Sequence, residues 1–187
     1  FVAYSVDTVS RRKYTIYIKD METGKLFSDK IENTSGPVAW ANDNKTFFYT
    51  HKNPDDLRES KILKHTLDTD ATKDTTVYEE TDDIYNCYVR KAKSGKYIFI
   101  SSYSTLTTEH QFLNADTPNA DFTVFQERTK GLEYHISHFK DNFYVYTNKD
   151  KASNFKLMKT PEDKTEKENW FYTHNGSLTS RPYVFDQ

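Results

Sequence analysis

The sequence predicts an all-β chain, a partial β-propeller made of four-stranded antiparallel blades. Three observations predict it. The first is a repeat of roughly 47 residues: Thr76-Val77-Tyr78-Glu79-Glu80 returns as Thr123-Val124-Phe125-Gln126-Glu127 and again as Trp170-Phe171-Tyr172-Thr173. Its spacing drifts between registers while its order holds, as expected of one supersecondary unit with variable loops. The second is a set of short apolar runs bounded by turn residues, with no dozen-residue stretch that holds a 3.6-residue period. The third is a 16% aromatic content beside only 35% hydrophobic residues. Tyr and Phe suit pleated surfaces and supply the core area that Leu and Ile do not.

The elements follow in order. Residues 1–6 form a strand, 7–11 turn, and 13–19 form its partner. Met21-Glu22-Thr23-Gly24-Lys25 is a tight turn with Gly at the position requiring φ > 0, and 26–31 is the next strand. These make an incomplete unit at 1–31. The first whole blade, 36–80, reads 38–40, 46–51, 62–67 and 76–79. Asn42-Asp43-Asn44-Lys45 closes its first hairpin. The second blade, 84–127, reads 85–89, 97–102, 110–115 and 122–126. The third, 133–173, reads 134–138, 143–148, 155–159 and 169–172. Residues 178–187, with a strand at 181–185, begin another. Tyr97-Ile98-Phe99-Ile100 and Phe143-Tyr144-Val145-Tyr146 are apolar on both faces, as expected of strands covered on both sides by neighbouring blades.

Three blades with broken ends do not close a ring, because propellers run from four to eight blades. The chain, which opens on a strand under way and without Met, is therefore expected to be a segment of a longer protein. Open sheet faces are expected at its ends, with self-association as one way to cover them.

Charge and composition exclude some classes of function. Twenty-eight acidic and 26 basic residues give a net charge of −2, without the basic excess of a nucleic-acid surface. No run approaches the ~18 apolar residues of a membrane span. The single cysteine, Cys87, permits no internal disulfide. It suits a reducing compartment, and the parent protein is expected in the cytoplasm.

The wording inside the repeats is more specific than their spacing. Six phrases in one order carry it: residues 1–20 (FVAYSVDTVSRRKYTIYIKD), 38–49 (VAWANDNKTFFY), 77–83 (VYEETDD), Leu113-Asn114-Ala115-Asp116, Gly131-Leu132-Glu133-Tyr134 and Asn154-Phe155-Lys156-Leu157. Together they resemble the early propeller of the oligopeptidase B (protease II) branch of the prolyl oligopeptidase family of serine peptidases. The resemblance implies a seven-bladed ring roofing an α/β-hydrolase peptidase domain of the same chain. It also implies cleavage of short peptides after Lys or Arg. That family's catalytic Ser, Asp and His belong to the hydrolase domain. No Gly-x-Ser-x-Gly elbow occurs in this sequence, so no catalytic residue is assigned here, and no cofactor or metal is expected. The alternative is a stand-alone propeller scaffold for protein–protein interaction. A metal- or carbohydrate-active propeller is a third reading.

Five constellations invite a functional reading. His51, His65, His110, His135, His138 and His174 are scattered over strands and loops, where a metal would want grouped ligands. His135 and His138, three apart on a strand, point to opposite faces. Ser10-Arg11-Arg12-Lys13 reads as a solvated hairpin tip or as a contact for an acidic partner. Glu79-Glu80-Thr81-Asp82-Asp83 reads as an exposed inter-blade loop or as a carboxylate cluster steering cationic peptides. Asp43 and Asp141 occupy equivalent hairpin turns, so turn chemistry explains them better than a glycosidase dyad. Asn33, Asn44 and Asn175 open glycosylation-type triplets of the kind that an Asn- and Thr-rich chain contains by chance.

Overall fold

A computed structural model describes residues 1–173. Fourteen antiparallel strands form three sheets. The first sheet holds β1 (Val2–Val6), β2 (Tyr14–Lys19), β3 (Leu26–Trp40), β4 (Thr46–Lys52), β5 (Glu59–Thr66) and β6 (Thr75–Glu79), adjacent in that order. The second holds β7 (Asn86–Lys91), β8 (Tyr97–Tyr103), β9 (Thr108–Asn114) and β10 (Thr123–Gln126). The third holds β11 (Tyr134–Phe139), β12 (Asn142–Thr147), β13 (Lys156–Pro161) and β14 (Phe171–Tyr172). Among the described residues helix is confined to three 3-10 turns of three residues each, and no helix is long and apolar enough to cross a membrane. The strand expected at 181–185 lies outside the described residues.

The first sheet differs from the sequence reading at one place. Residues 26–31 and 38–40 were expected as separate strands, and they are the two halves of the 15-residue β3. Thr34 is the splice, pairing with Tyr14 of β2 on one side and His51 of β4 on the other. Beyond it the ladder breaks register before Val38. Pro37 has no N–H to give the ladder, and Gly36, at φ +106°, turns its N–H to the Thr34 hydroxyl at 3.2 Å. The ribbon folds over at this point. Ile16 and Ile18 of β2 and Ile31 of β3 pack on Phe47 and Tyr49 of β4, a face-to-face contact that a flat six-stranded sheet does not allow. One hydrogen-bonded ribbon thus supplies two packed layers.

The remaining core lies between sheets. Phe48, Ile62 and Ala39 meet Cys87, Val89, Ile98 and Ile100 across the first interface. Burial pushes the Cys87 thiol up to about 12, so it behaves as a small apolar side chain. The second interface is aromatic: Phe125 meets Phe143 edge-on at 5.1 Å and Trp170 at 6.1 Å, and Phe112 meets Phe143 at 5.3 Å. Such pairs add about 0.5–1.5 kcal/mol each beyond their buried area. β4 and β8 are buried along nearly their whole length, as expected of doubly covered strands. β12 is not: Phe143, Val145 and Thr147 are buried, while Tyr144 and Tyr146, on the far face, are only half-buried. The opposite end of the stack shows the same one-sidedness, with Val2, Tyr4 and Val6 exposed on alternate positions of β1. Among the described residues, both end sheets of the stack are therefore packed on one face only.

Candidate functional site

The charged groups singled out in the sequence fall at sheet interfaces and turn tips, and the interfaces claim most of them. In the acidic segment, Glu79 pairs with Lys61 at 3.1 Å, and Glu80 is buried. The Glu80 carboxylate receives Arg128 Nη2 at 2.6 Å, the Tyr78 hydroxyl at 2.8 Å and the Asp82 N–H at 3.1 Å. Burial alone would raise the Glu80 pKa; Arg128 and these donors outweigh it and hold the carboxyl below its ordinary value. Arg128 also lies 3.7 Å over the Tyr85 ring and accompanies Glu109 of β9. This cluster ties the end of β6 to the second sheet. Only the carboxylates of Asp82 and Asp83 stay exposed and, among the described residues, outside any ion pair. The expected five-residue steering cluster thus reduces to two aspartates. Their loop is held by Arg58, whose guanidinium donates to the carbonyls of Glu80, Asp82 and Tyr85.

Three of the histidines, His65, His110 and His138, are used as staples. His65 of β5 is fully buried between Asp29 of β3 and Asp74, with 2.7 Å from each ring nitrogen to a carboxylate oxygen. His110 of β9 joins the second and third sheets: its ring reaches Ser101 Oγ and the Tyr134 carbonyl, each at 2.7 Å. Burial pushes His110 down to about 3, so it is neutral. His138 of β11 bonds Ser94 Oγ at 2.8 Å and the Glu162 carboxylate, which also pairs with Lys96. His135 and His138 do face opposite ways: His138 is buried toward the second sheet and His135 is half-buried. Among the described residues no three His, Cys, Asp or Glu side chains gather as metal ligands. His174 lies outside the described residues.

The basic tip is only partly solvated. Arg11 and Arg12 are exposed, but Lys13 donates to the Pro54 carbonyl and Lys52 to that of Arg12. The tip is therefore docked on the neighbouring 53–58 loop. Asp43 serves its own turn, accepting from the N–H groups of Lys45 and Thr46 at 3.0 and 2.8 Å and from the Thr46 hydroxyl at 2.7 Å. Asn33 and Asn44 occupy left-handed positions at φ 55°, and Asn175 lies outside the described residues. Arg58, Arg128, Asp29 and Asp74 carry polar contacts between elements, and sequence reasoning did not single them out. Their partners lie 9 to 48 residues away, and a single sequence carries no signal that pairs them.

The described residues thus form a stack of three sheets held together by aromatic interfaces and polar staples. Residues 1–172 match the family described as prolyl oligopeptidase, N-terminal beta-propeller domain. The chain belongs to this family. It is 37% identical over 169 residues to the dipeptidyl aminopeptidase BI of Pseudoxanthomonas mexicana, covering 90% of this chain and 23% of that protein. It is 33% identical over 162 residues to protease 2 of Moraxella lacunata, covering 86% and 23%. The structure superposes on oligopeptidase B of Leishmania major with a TM-score of 0.85 and 27% identity, over 92% of this chain and 24% of that one. The chain thus spans about a quarter of these relatives' length. The resemblance read from the six sequence phrases and the propeller architecture both hold.

Proposed function

We propose that this propeller segment is part of the lid of a serine oligopeptidase, in which an α/β-hydrolase domain of the same chain carries the chemistry. The lid admits short, unfolded peptides and excludes folded domains by size, and hinge opening between the two domains gates entry. The observation that carries the reading is the match of residues 1–172 to a propeller that is N-terminal in its family, among relatives about four times longer. Cleavage after Lys or Arg is the specificity proposed, in keeping with the likeness to oligopeptidase B. The exposed Asp82 and Asp83 suit it by favouring cationic peptides at the loop end of the stack. The proposed compartment of the parent is the cytoplasm.

A second reading rests on the relative at 37% identity, which is named a dipeptidyl aminopeptidase: the parent releases dipeptides from free amino termini. Product analysis separates the two. The full-length protein is given a ten-residue peptide with one internal Arg, with its amino terminus free or acetylated. Cleavage after Arg in both forms supports the oligopeptidase reading. Dipeptide release from the free form alone supports the second. No cleavage of either, with binding of a folded partner instead, would return the scaffold alternative.

A further inference from the structure

A cavity of about 530 Å³ opens where the connection from β10 to β11 meets the turn between β12 and β13. That volume lies within the range of small-ligand sites, about 300–1,000 Å³. Its walls are tied to each other. Asn148 donates through Nδ2 to the Gly131 carbonyl at 3.0 Å, and its Oδ1 accepts the Glu133 N–H at 2.9 Å. The cavity is therefore preformed, as small-ligand sites usually are.

The lining has one chemical character. Lys130 comes from the β10–β11 connection, Lys149 and Lys151 from the turn after β12, and Lys167 from the turn before β14. Lys149 and Lys167 are half-buried. The one acid among the described lining residues, Asp150, is already claimed: Lys149 Nζ lies 3.3 Å and Lys156 Nζ 2.8 Å from its Oδ2. Among the described residues Lys130 and Lys151 have no acidic partner, and the Ser153 hydroxyl in the same wall has no protein partner. Glu166 and Glu168 flank Lys167 in the chain but line a separate recess with Glu127. The tip that carries Lys149 and Lys151 is also strained. Asp150 and Lys151 are consecutive left-handed residues at φ 57° and 60°. Side chains with a Cβ adopt that conformation at a cost, and such strain gathers at ligand clamps.

These side chains select the ligand. Four ammonium groups around one committed carboxylate favour an anion with more than one charge. Among the described residues no arginine lines the cavity, so no planar fork is present to match a carboxylate. Lysines are point charges, and here three separate segments supply them, which suits a tetrahedral oxyanion. No aromatic ring lines it either, so nothing is placed to stack on a nucleobase. We infer that the Lys130–Lys149–Lys151–Lys167 cavity binds the phosphate group of a small polyanion, either a free anion such as pyrophosphate or a phosphorylated peptide. The inference goes beyond the peptidase reading and does not rest on it.

The test is calorimetric titration of the full-length protein at constant ionic strength. The probes are sodium pyrophosphate, sodium citrate, and a short phosphoserine peptide beside its unphosphorylated form. Saturable binding of pyrophosphate or of the phosphoserine peptide is expected, and Lys130→Gln with Lys151→Gln should weaken it about tenfold or more, the loss of hydrogen bonds to a charged group. Neither lysine has an acidic partner to lose among the described residues, and matched melting points without ligand check that the variant is folded. Lys25→Gln with Lys93→Gln removes the same charge from exposed turns outside the cavity and should leave binding unchanged. Pyrophosphate binding identifies a free anion as ligand. Binding of the phosphoserine peptide but not of its unphosphorylated form identifies a peptide-borne phosphate. Absence of both, an equal loss in the two variant pairs, no loss in either, or citrate binding as tight as that of the phosphate probes overturns the site. Cleavage is not the readout, so this outcome and the fate of the peptidase reading are separable.

Discussion

The buried His65 staple makes a prediction that the geometry quantifies. His65 Nε2 is 2.7 Å from Asp29 Oδ1, and Nδ1 is 2.7 Å from Asp74 Oδ1. Asp29 Oδ1 also accepts the Asp68 N–H at 2.7 Å, and Asp74 Oδ2 accepts the Tyr49 hydroxyl at 2.9 Å. A neutral imidazole has one N–H, so donation to both carboxylates needs the imidazolium. Burial would lower the His65 pKa; its hydrogen bonds to Asp74 and Asp29, with the charges of both, outweigh burial and raise it. A raised folded-state pKa gives stability that is whole below the unfolded value of about 6.5 and is lost as pH climbs through the folded value. In that window the slope is as steep as about −1.4 kcal/mol per pH unit. His65→Leu leaves two buried carboxylates facing each other without a cation, at a cost of about 3–5 kcal/mol. That is a large share of the 5–15 kcal/mol typical of a folded domain. The assay is urea unfolding from pH 6 to 9, followed by tryptophan fluorescence. Trp40 is a built-in reporter, since its ring lies 4.7 Å from Phe47, which in turn lies 4.9 Å from His65. The wild type should lose stability with rising pH, and His65→Leu should start lower and run flatter. Parallel pH slopes, or a loss under 1 kcal/mol at pH 6, would refute an imidazolium bridge.

Further outcomes are expected from the same structure. Gly36→Ala should destabilise by about 1–3 kcal/mol, because φ is +106° and the added Cβ would meet Ser5 Oγ at 2.9 Å; a melting point within 1 °C of wild type would contradict the fold at β3. Arg128→Met should cost about 2–4 kcal/mol, less than a fully buried pair because Arg128 is 25% exposed. Adding Glu80→Gln should recover part of that loss, and a purely additive double mutant would argue against the pair. Since the Glu80 pKa is lowered, its stabilisation is present above pH ~4.5 and fades as pH falls further, so Glu80→Gln should flatten the acid limb of the stability curve. Asp82→Asn with Asp83→Asn should lower kcat/KM of the full-length enzyme for cationic peptides more at 20 mM than at 500 mM salt, values on either side of the ~10 Å screening length at 0.1 M; equal losses would remove steering. The 187-residue chain alone should self-associate through its two open faces, and sedimentation showing a strict monomer at high concentration would count against this.

Much of the architecture was legible because it is local. A β-strand alternates its faces every second residue, and a hairpin needs particular residues at its tip. Gly24 and Gly95, at φ +73° and +74°, and the Asp43 turn therefore announce themselves in a single sequence. The core was legible for the same reason: Phe99, Ile98 and Ile100 are consecutive apolar residues on a doubly covered strand. The polar staples were not. Glu80 looked like one of a run of solvated acids, and its partner Arg128 is 48 residues away. Asp29 lay on the expected strand 26–31, with nothing in the sequence to pair it with His65 until β3 folded over and brought it there.

By itself, the sequence determined a strand period, turn chemistry, an aromatic core and a family likeness, since these depend on the residues and their near neighbours. Tertiary structure decided that two expected strands are one, folded at Gly36 and Pro37, and which charges are spent on stapling sheets together. It also decided which charges of the acidic segment stay exposed and, among the described residues, outside any ion pair. The physical reason is that burial decides whether a charge acts as a structural bridge or as a solvated field, and burial belongs to the packed stack, not to any position along the chain.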